Sequence, residues 1–236
     1  MGLPKIAVPE YTLILPSSGK ELKYRPFLVK EEKILMMAME SGDEAQMINA
    51  IRDLIKNCTD GEADVSKLPM FDLEYIFAKI RTKAVGETTK IKVPCETEGC
   101  ESKVEVDVDM ETGLRVTEGR NKKIELTGDT GLIMRYPTVD DYQDVVHSKD
   151  SEIDKVFKLI ARSIETIYSG DEVFDAKTHS EKELVSFIES LNSAQFIIVK
   201  DFFDNMPQAA IDISYHCASC GNDHTMELKG LQNFFG

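Results

Sequence analysis

The sequence predicts an α+β fold built as two pseudo-repeats, each a β-hairpin, a set of helices and a cysteine-bearing hairpin. Three observations predict it. Apolar residues alternate with polar ones beside turn-forming residues, as in half-buried strands. Between them, apolar residues recur at helical spacing. Two cysteine knuckles, Cys95-x4-Cys100 and Cys217-x2-Cys220, stand near the ends of two similar stretches, residues 1–111 and 112–236. Together the knuckles make a zinc-ribbon-like four-cysteine site that joins the repeats.

The first element is a hairpin, with Leu13, Leu15, Leu22 and Pro26 around the turn Pro16-Ser-Ser-Gly19. Sliding the chain along itself by about 110 residues finds Ile124, Leu126, Ile133 and Pro137 around Thr127-Gly-Asp-Thr130. A helix follows each hairpin, near Val29 in the first half and at Thr138 in the second, where Thr138-Val-Asp-Asp141 has the form of a capping box. A longer helix comes next. Met47, Ile48, Ile51, Ile55 and Cys58 match Val156, Phe157, Ile160, Ile164 and Ile167, and both helices are expected to stop at a glycine turn, Gly61 and Gly170. A third pair of helices places Leu73, Ile76, Phe77 and Ile80 opposite Leu184, Phe187, Ile188 and Leu191. The second half then carries an insertion, 193–204, that reads as an additional buried helix.

Each half closes on a cysteine hairpin. Alternation over Lys90–Val93 and Lys103–Met110 flanks the first knuckle, and Ile211–Tyr215 and Met226–Leu228 flank the second. Short Cys-x2-4-Cys spacings let one turn present two sulfurs, and two such turns give the four soft ligands that a structural zinc takes in a tetrahedron. The candidate ligands are Cys95, Cys100, Cys217 and Cys220. Such a zinc would brace the two halves across 116 intervening residues. Two disulfides are the alternative, and they need an oxidising compartment that the N-terminal residues do not indicate. A thioredoxin-like role for Cys217-Ala-Ser-Cys220 would need a helix after the motif, where Gly221-Asn-Asp223 spells a turn. His216 and His224 lie beside the second knuckle and could replace a cysteine as ligand, but with four thiols available they read as bystanders. Cys58, on an apolar helical face, reads as a core thiol.

The chain has 236 residues, 42% of them hydrophobic, enough for a substantial core. No apolar run approaches the roughly 20 residues that span a bilayer, so membrane attachment is not expected. A net charge of -14 argues against a binder of duplex nucleic acid, although Lys79, Arg81, Lys83, Lys90 and Lys92 could form a local basic patch near the first knuckle. There is no phosphate loop, dinucleotide turn, His-Glu-x-x-His or Gly-x-Ser-x-Gly, and no enzymatic activity is expected.

Partner surfaces are suggested in three places. The proline-punctuated arm 2–10 should be extended. Ile34-Leu-Met-Met-Ala-Met39 holds more large apolar side chains than one helical stripe buries, which points to Ile34, Met36 and Met37 as contacts. The tail places Leu231, Phe234 and Phe235 either in a partner or back in the core.

Tyr24-Arg-Pro-Phe-Leu-Val-Lys-Glu-Glu-Lys33 leading into a methionine-rich helix, the paired knuckles and the terminal Gly-Leu-x-x-Phe-Phe together resemble the baseplate hub protein family of T4-like contractile-tailed phages. The resemblance covers essentially the whole chain. It implies a non-enzymatic protein, made in the cytoplasm of the infected bacterium, that helps to build the hub of the tail baseplate through contacts with other hub or tape-measure proteins. It leaves two roles open, a subunit kept in the virion tail and a transient assembly chaperone absent from it. A zinc-ribbon nucleic-acid adaptor is the rival reading of the knuckles alone.

Overall fold

The computed structural model describes residues 6–230 and shows a mixed helix and sheet protein. In order, β1 (Tyr11–Ile14) and β2 (Glu21–Tyr24) form a hairpin, and α1 (Val29–Ser41), α2 (Glu44–Cys58) and α3 (Met70–Val85) follow. Then come the hairpin β3 (Thr88–Pro94) and β4 (Lys103–Asp109), the single turn α4 (Met110–Gly113) and the short β5 (Leu114–Val116). The second hairpin, β6 (Lys123–Thr127) and β7 (Thr130–Met134), leads to α5 (Val139–Val146) and α6 (Glu152–Arg162). The strands β8 (Ile164–Ser169) and β9 (Glu172–Asp175), the helices α7 (Glu181–Glu189) and α8 (Ser193–Asp204), and the hairpin β10 (Ala209–His216) and β11 (Asp223–Lys229) complete the described chain.

The chain falls into two compact units, and the spatial cut differs from a cut at 111/112. Among the described residues, one unit takes 6–65, 71–117 and 208–230; the other takes 66–70 and 118–207. In the first unit β10 pairs antiparallel with β11 along its length and with β5 at Ala209–Ile211, while β3 and β4 form a separate ribbon. Val93, Val106, Val108, Met110, Leu114, Ile211, Ile213 and Tyr215 face one shared core, because alternate side chains of each strand point the same way. In α2, Ile48, Ile51, Ile55 and Cys58 are buried at the expected spacing, and Gly61 takes the positive φ of the turn beyond the helix. The turn after β1 is tied to α3, since the Ser17 N–H and hydroxyl both donate to the buried Asp72 carboxylate.

The second unit is a four-stranded meander in the order β6-β7-β8-β9. Ile124, Leu126, Leu132, Met134, Ile160, Ile164, Leu184, Ile188, Val199 and Phe202 form its core. Here the expected long helix is corrected. α6 ends at Arg162 with Ser163 as its cap, and Ile164 opens a strand in which Ile167 pairs with Leu132 and Phe174. Ile164-Glu-Thr-Ile-Tyr168 is rich in β-branched residues, and pairing on both sides outweighs the helical spacing of its two isoleucines. Gly170 accordingly sits in the β8–β9 turn at positive φ and not at a helix end. α8 spans the expected insertion, yet Ile197 and Ile198 are exposed, so only one face of it is buried.

Both units begin alike. In the first, Arg25 Nη2 stands 3.1 Å from Glu31 Oε1, and Leu28 N–H donates to Glu31 Oε2 at 2.8 Å. In the second, Arg135 Nη1 stands 2.6 Å from Asp141 Oδ2, and Thr138 N–H donates to the same oxygen at 2.8 Å. The arginine backbone N–H in each case donates to the end of the second helix, at Cys58 O and Ser163 O. The carboxylate at the third helical position thus closes the helix start and anchors an arginine from the preceding strand.

Candidate metal centre

The two cysteine knuckles meet at one end of the first unit. The β3–β4 connection carries Cys95 and Cys100, and the β10–β11 connection carries Cys217 and Cys220. Backbone hydrogen bonds shape both turns: Cys95 N–H donates to Ser102 O, Cys217 N–H to Asn222 O and Gly221 N–H to Cys217 O. Gly99 and Gly221 take positive φ, which lets each turn fold back so that its second sulfur faces inward.

All four sulfurs lie within 4.8 Å of one another. Cys95 Sγ is 3.6 Å from Cys220 Sγ, and Cys100 Sγ is 3.9 Å from Cys217 Sγ. Four sulfurs about 2.3 Å from a central ion in a tetrahedron would stand about 3.8 Å apart, so the donor set fits a tetrahedral metal of zinc's size. Each of these two approaches crosses between the knuckles. A metal held here would clasp two hairpins of one compact unit, which narrows the expected brace between sequence halves to a clasp inside the first unit.

Polar groups converge on the sulfurs. Ser102 Oγ lies 3.1 Å from Cys100 Sγ and 3.0 Å from Cys217 Sγ, Thr97 Oγ1 lies 3.4 Å from Cys220 Sγ, and His224 Nε2 lies 3.3 Å from Cys95 Sγ. Asn222 Nδ2 donates to Thr97 Oγ1 at 3.0 Å. The Ser102 hydroxyl and the N–H of Cys220 pull the Cys217 thiol down to about 5, and the Ser102 groups also lower Cys100. Thr97 acts to lower Cys95, but burial and the neighbouring Cys217 and Cys220 push it up to about 11. Adjacent thiolates repel, so without a cation the four cannot all ionise together. A divalent ion at the centre would remove that conflict. Ser102 and Thr97 were missed in sequence, and His224 was named only as a bystander that could stand in for a cysteine; a polar residue next to a knuckle was the available signal, and only the pairing of the hairpins aims them at sulfur.

The remaining candidates separate clearly. Ile34, Met36 and Met37 are on the outward side of α1, with about half or more of each exposed at 51%, 59% and 61%, while Glu31, Leu35 and Ala38 face inward. Leu231, Phe234 and Phe235 lie outside the described residues. Cys58 is buried, and that burial pushes its thiol up to about 11, as a core cysteine requires. The basic cluster is largely paired: Lys79 and Lys83 pair with Glu111, Lys83 also with Glu87, and Lys90 with Glu105, while Arg81 is buried and Lys92 is exposed. A cleft of about 150 Å³ between β4 and β10 is smaller than the several hundred Å³ typical of small-molecule sites. Among the described residues no helix is long and apolar enough to cross a membrane.

Fold and site define a small α+β protein with a four-cysteine centre and an outward apolar helix. Residues 8–236 match the family described as T4 bacteriophage base plate protein, and the chain belongs to that family. No curated protein and no solved structure matches it.

Proposed function

We propose that this protein is a non-enzymatic baseplate hub component that acts in tail assembly through protein-protein contacts, with a structural zinc on Cys95, Cys100, Cys217 and Cys220. The observation that carries the reading is family membership over nearly the whole chain. The hub assignment is supported by the Tyr24–Lys33 segment and the terminal Gly-Leu-x-x-Phe-Phe, and the zinc by the fit of four sulfurs to a tetrahedron. A site closed by four thiolates leaves no position for a reacting water, so the metal is structural. Ile34, Met36 and Met37 on α1, together with Leu231, Phe234 and Phe235, supply the partner contacts, and other hub or tape-measure proteins are the partners. The protein works in the host cytoplasm during assembly and then in the virion tail.

The pseudo-repeat belongs to the same reading. The order hairpin, helix, helix, short 3-10 turn, helix, cysteine hairpin occurs twice, with β8, β9 and α8 as additions in the second copy. The Arg25–Glu31 and Arg135–Asp141 pairs, 110 residues apart, support duplication at the level of side chains.

Quantitative mass spectrometry of purified mature particles against infected-cell lysate, with a known tail subunit as reference, tests the role. Stoichiometric presence in particles is expected. Abundance in lysate with absence from particles would replace the subunit reading with that of a transient chaperone. Salt-sensitive binding to DNA or RNA would favour the adaptor reading instead.

A further inference from the structure

The four corners of the cysteine cluster are not equivalent. Cys95 and Cys217 are buried, Cys100 is half-buried and Cys220 is exposed. The two histidines of the second knuckle also differ. His216 Nδ1 turns away to Asp223 Oδ1 at 2.8 Å. His224, opposite Tyr215 in the β10–β11 ladder, stacks its ring on that tyrosine with centroids 5.2 Å apart. Its Nε2 lies 3.3 Å from Cys95 Sγ and 3.2 Å from Thr97 Oγ1. Cys220 Sγ has the same two neighbours, 3.6 Å from Cys95 Sγ and 3.4 Å from Thr97 Oγ1. The imidazole nitrogen and the exposed sulfur therefore both stand beside Cys95 and Thr97.

We propose that His224 is a reserve ligand of the metal centre, taking the fourth position when Cys220 is withdrawn and converting a four-thiolate site to three thiolates and one imidazole. This rests on the zinc reading above. In the exchange one zinc–sulfur bond breaks, the Cys220 sulfur keeping the electron pair and taking a proton from solvent, and one zinc–nitrogen bond forms from the Nε2 lone pair, with the ring proton on Nδ1. No electron is transferred. A nitrogen at about 2.1 Å and a sulfur at about 2.3 Å from zinc stand about 3.6 Å apart in a tetrahedron, close to the 3.3 Å between His224 Nε2 and Cys95 Sγ. With all four cysteines engaged, the imidazole stands outside the set of ligand atoms and orients Cys95 as an outer partner. Cys217 has no such substitute, since the polar side chain beside it is the Ser102 hydroxyl, shared with Cys100.

The test compares the full chain with C220A, C217A, H224A and C220A/H224A, measuring metal content after dialysis and the absorption of the cobalt-substituted forms. The unaltered chain and H224A should hold one ion with a four-thiolate cobalt spectrum. C220A should also hold one ion, with weaker thiolate charge-transfer absorption and ligand-field bands moved to higher energy. C217A should lose the ion, and C220A/H224A should bind it at least tenfold more weakly than C220A. The proposal is overturned if C220A loses metal as C217A does, or if C220A/H224A binds as C220A does. An unaltered chain that holds no metal would instead overturn the zinc reading on which the proposal stands.

Discussion

Arg25 reaches six residues forward to Glu31, a carboxylate only 2% exposed, and is the guanidinium that makes its burial tolerable. Burial alone would raise the Glu31 carboxyl, but the Leu28 N–H and the Arg25 side chain together hold it below its ordinary value. Arg25→Ala leaves Glu31 with the Leu28 N–H and, as a cation, the exposed Lys30 at 3.3 Å, and should cost about 3 kcal/mol. Arg135→Ala, at the more exposed partner of Asp141, should cost about 1 kcal/mol or less. Urea unfolding of the two variants gives the comparison, and a larger loss for Arg135→Ala would contradict it. Because the folded-state value of Glu31 is lowered, its contribution is present above the unfolded value of 4.5 and is lost as pH falls through the folded one.

Glu74 behaves in the opposite sense. Burial pushes its carboxyl up to about 7, opposed only by the Ala209 N–H at 3.3 Å. The folded chain holds a proton there that the unfolded chain has released, so stability falls as pH rises from about 4.5 to 7, by up to about 3 kcal/mol. Glu74→Gln should flatten that slope in unfolding curves taken across this window. An unchanged slope would mean that Glu74 titrates normally.

Metal removal should act on one unit. Chelation, or Cys217→Ser, should lower the melting temperature and release amide protection in β3, β4, β10 and β11 while the β6–β9 meander keeps its own. Hydrogen exchange read strand by strand would show it. Loss of protection across all four sheets at once would mean that the clasp governs the whole chain.

Met36→Gln with Met37→Gln changes side chains that are more exposed than buried. The pair should leave the melting temperature within about 1 °C and weaken association with hub partners at least tenfold. A fall in stability without a change in pull-down from infected lysate would return this face of α1 to the core.

Gly131 in β7 has no room for a side chain, because a β-carbon there would meet the Tyr168 hydroxyl and the Ile124 carbonyl. Gly131→Ala should destabilise the second unit by about 2 kcal/mol, visible in thermal melts. A neutral effect would show that the Tyr168 ring and the Ile124 backbone can both give way.

Much of this was legible because it is local. Turn residues and alternation placed the β1–β2 and β6–β7 hairpins, helical spacing placed Ile48, Ile51 and Ile55 on a buried face, and knuckle spacing brought four cysteines into one cluster. The misses are non-local. Ile164 and Ile167 stand three apart, a helical spacing that a regular strand face does not share, and only pairing with β7 and β9, with a register shift near the start of β8, decides for strand. Three-residue β5 carries too little pattern to read, and it exists because β10 returns beside it after 92 residues. His224 read as a bystander because the sulfur it approaches, Cys95, belongs to the first knuckle, which lies far away in sequence. The Arg25–Glu31 pair was visible only as a distinctive run of residues; its meaning, a strand bound to the start of the next helix, required geometry.

The placement of residues 118–207 between the two cysteine hairpins also fixes an order of events on the ribosome. Cys95 and Cys100 emerge early with half a ligand set, and the whole of the second unit is synthesised before Cys217 and Cys220 can join them. The later-starting unit can therefore finish first, while the earlier one waits for Cys217 and Cys220. A chain terminated anywhere before Cys217 lacks two of the four sulfurs, so its first hairpin would stay unclasped.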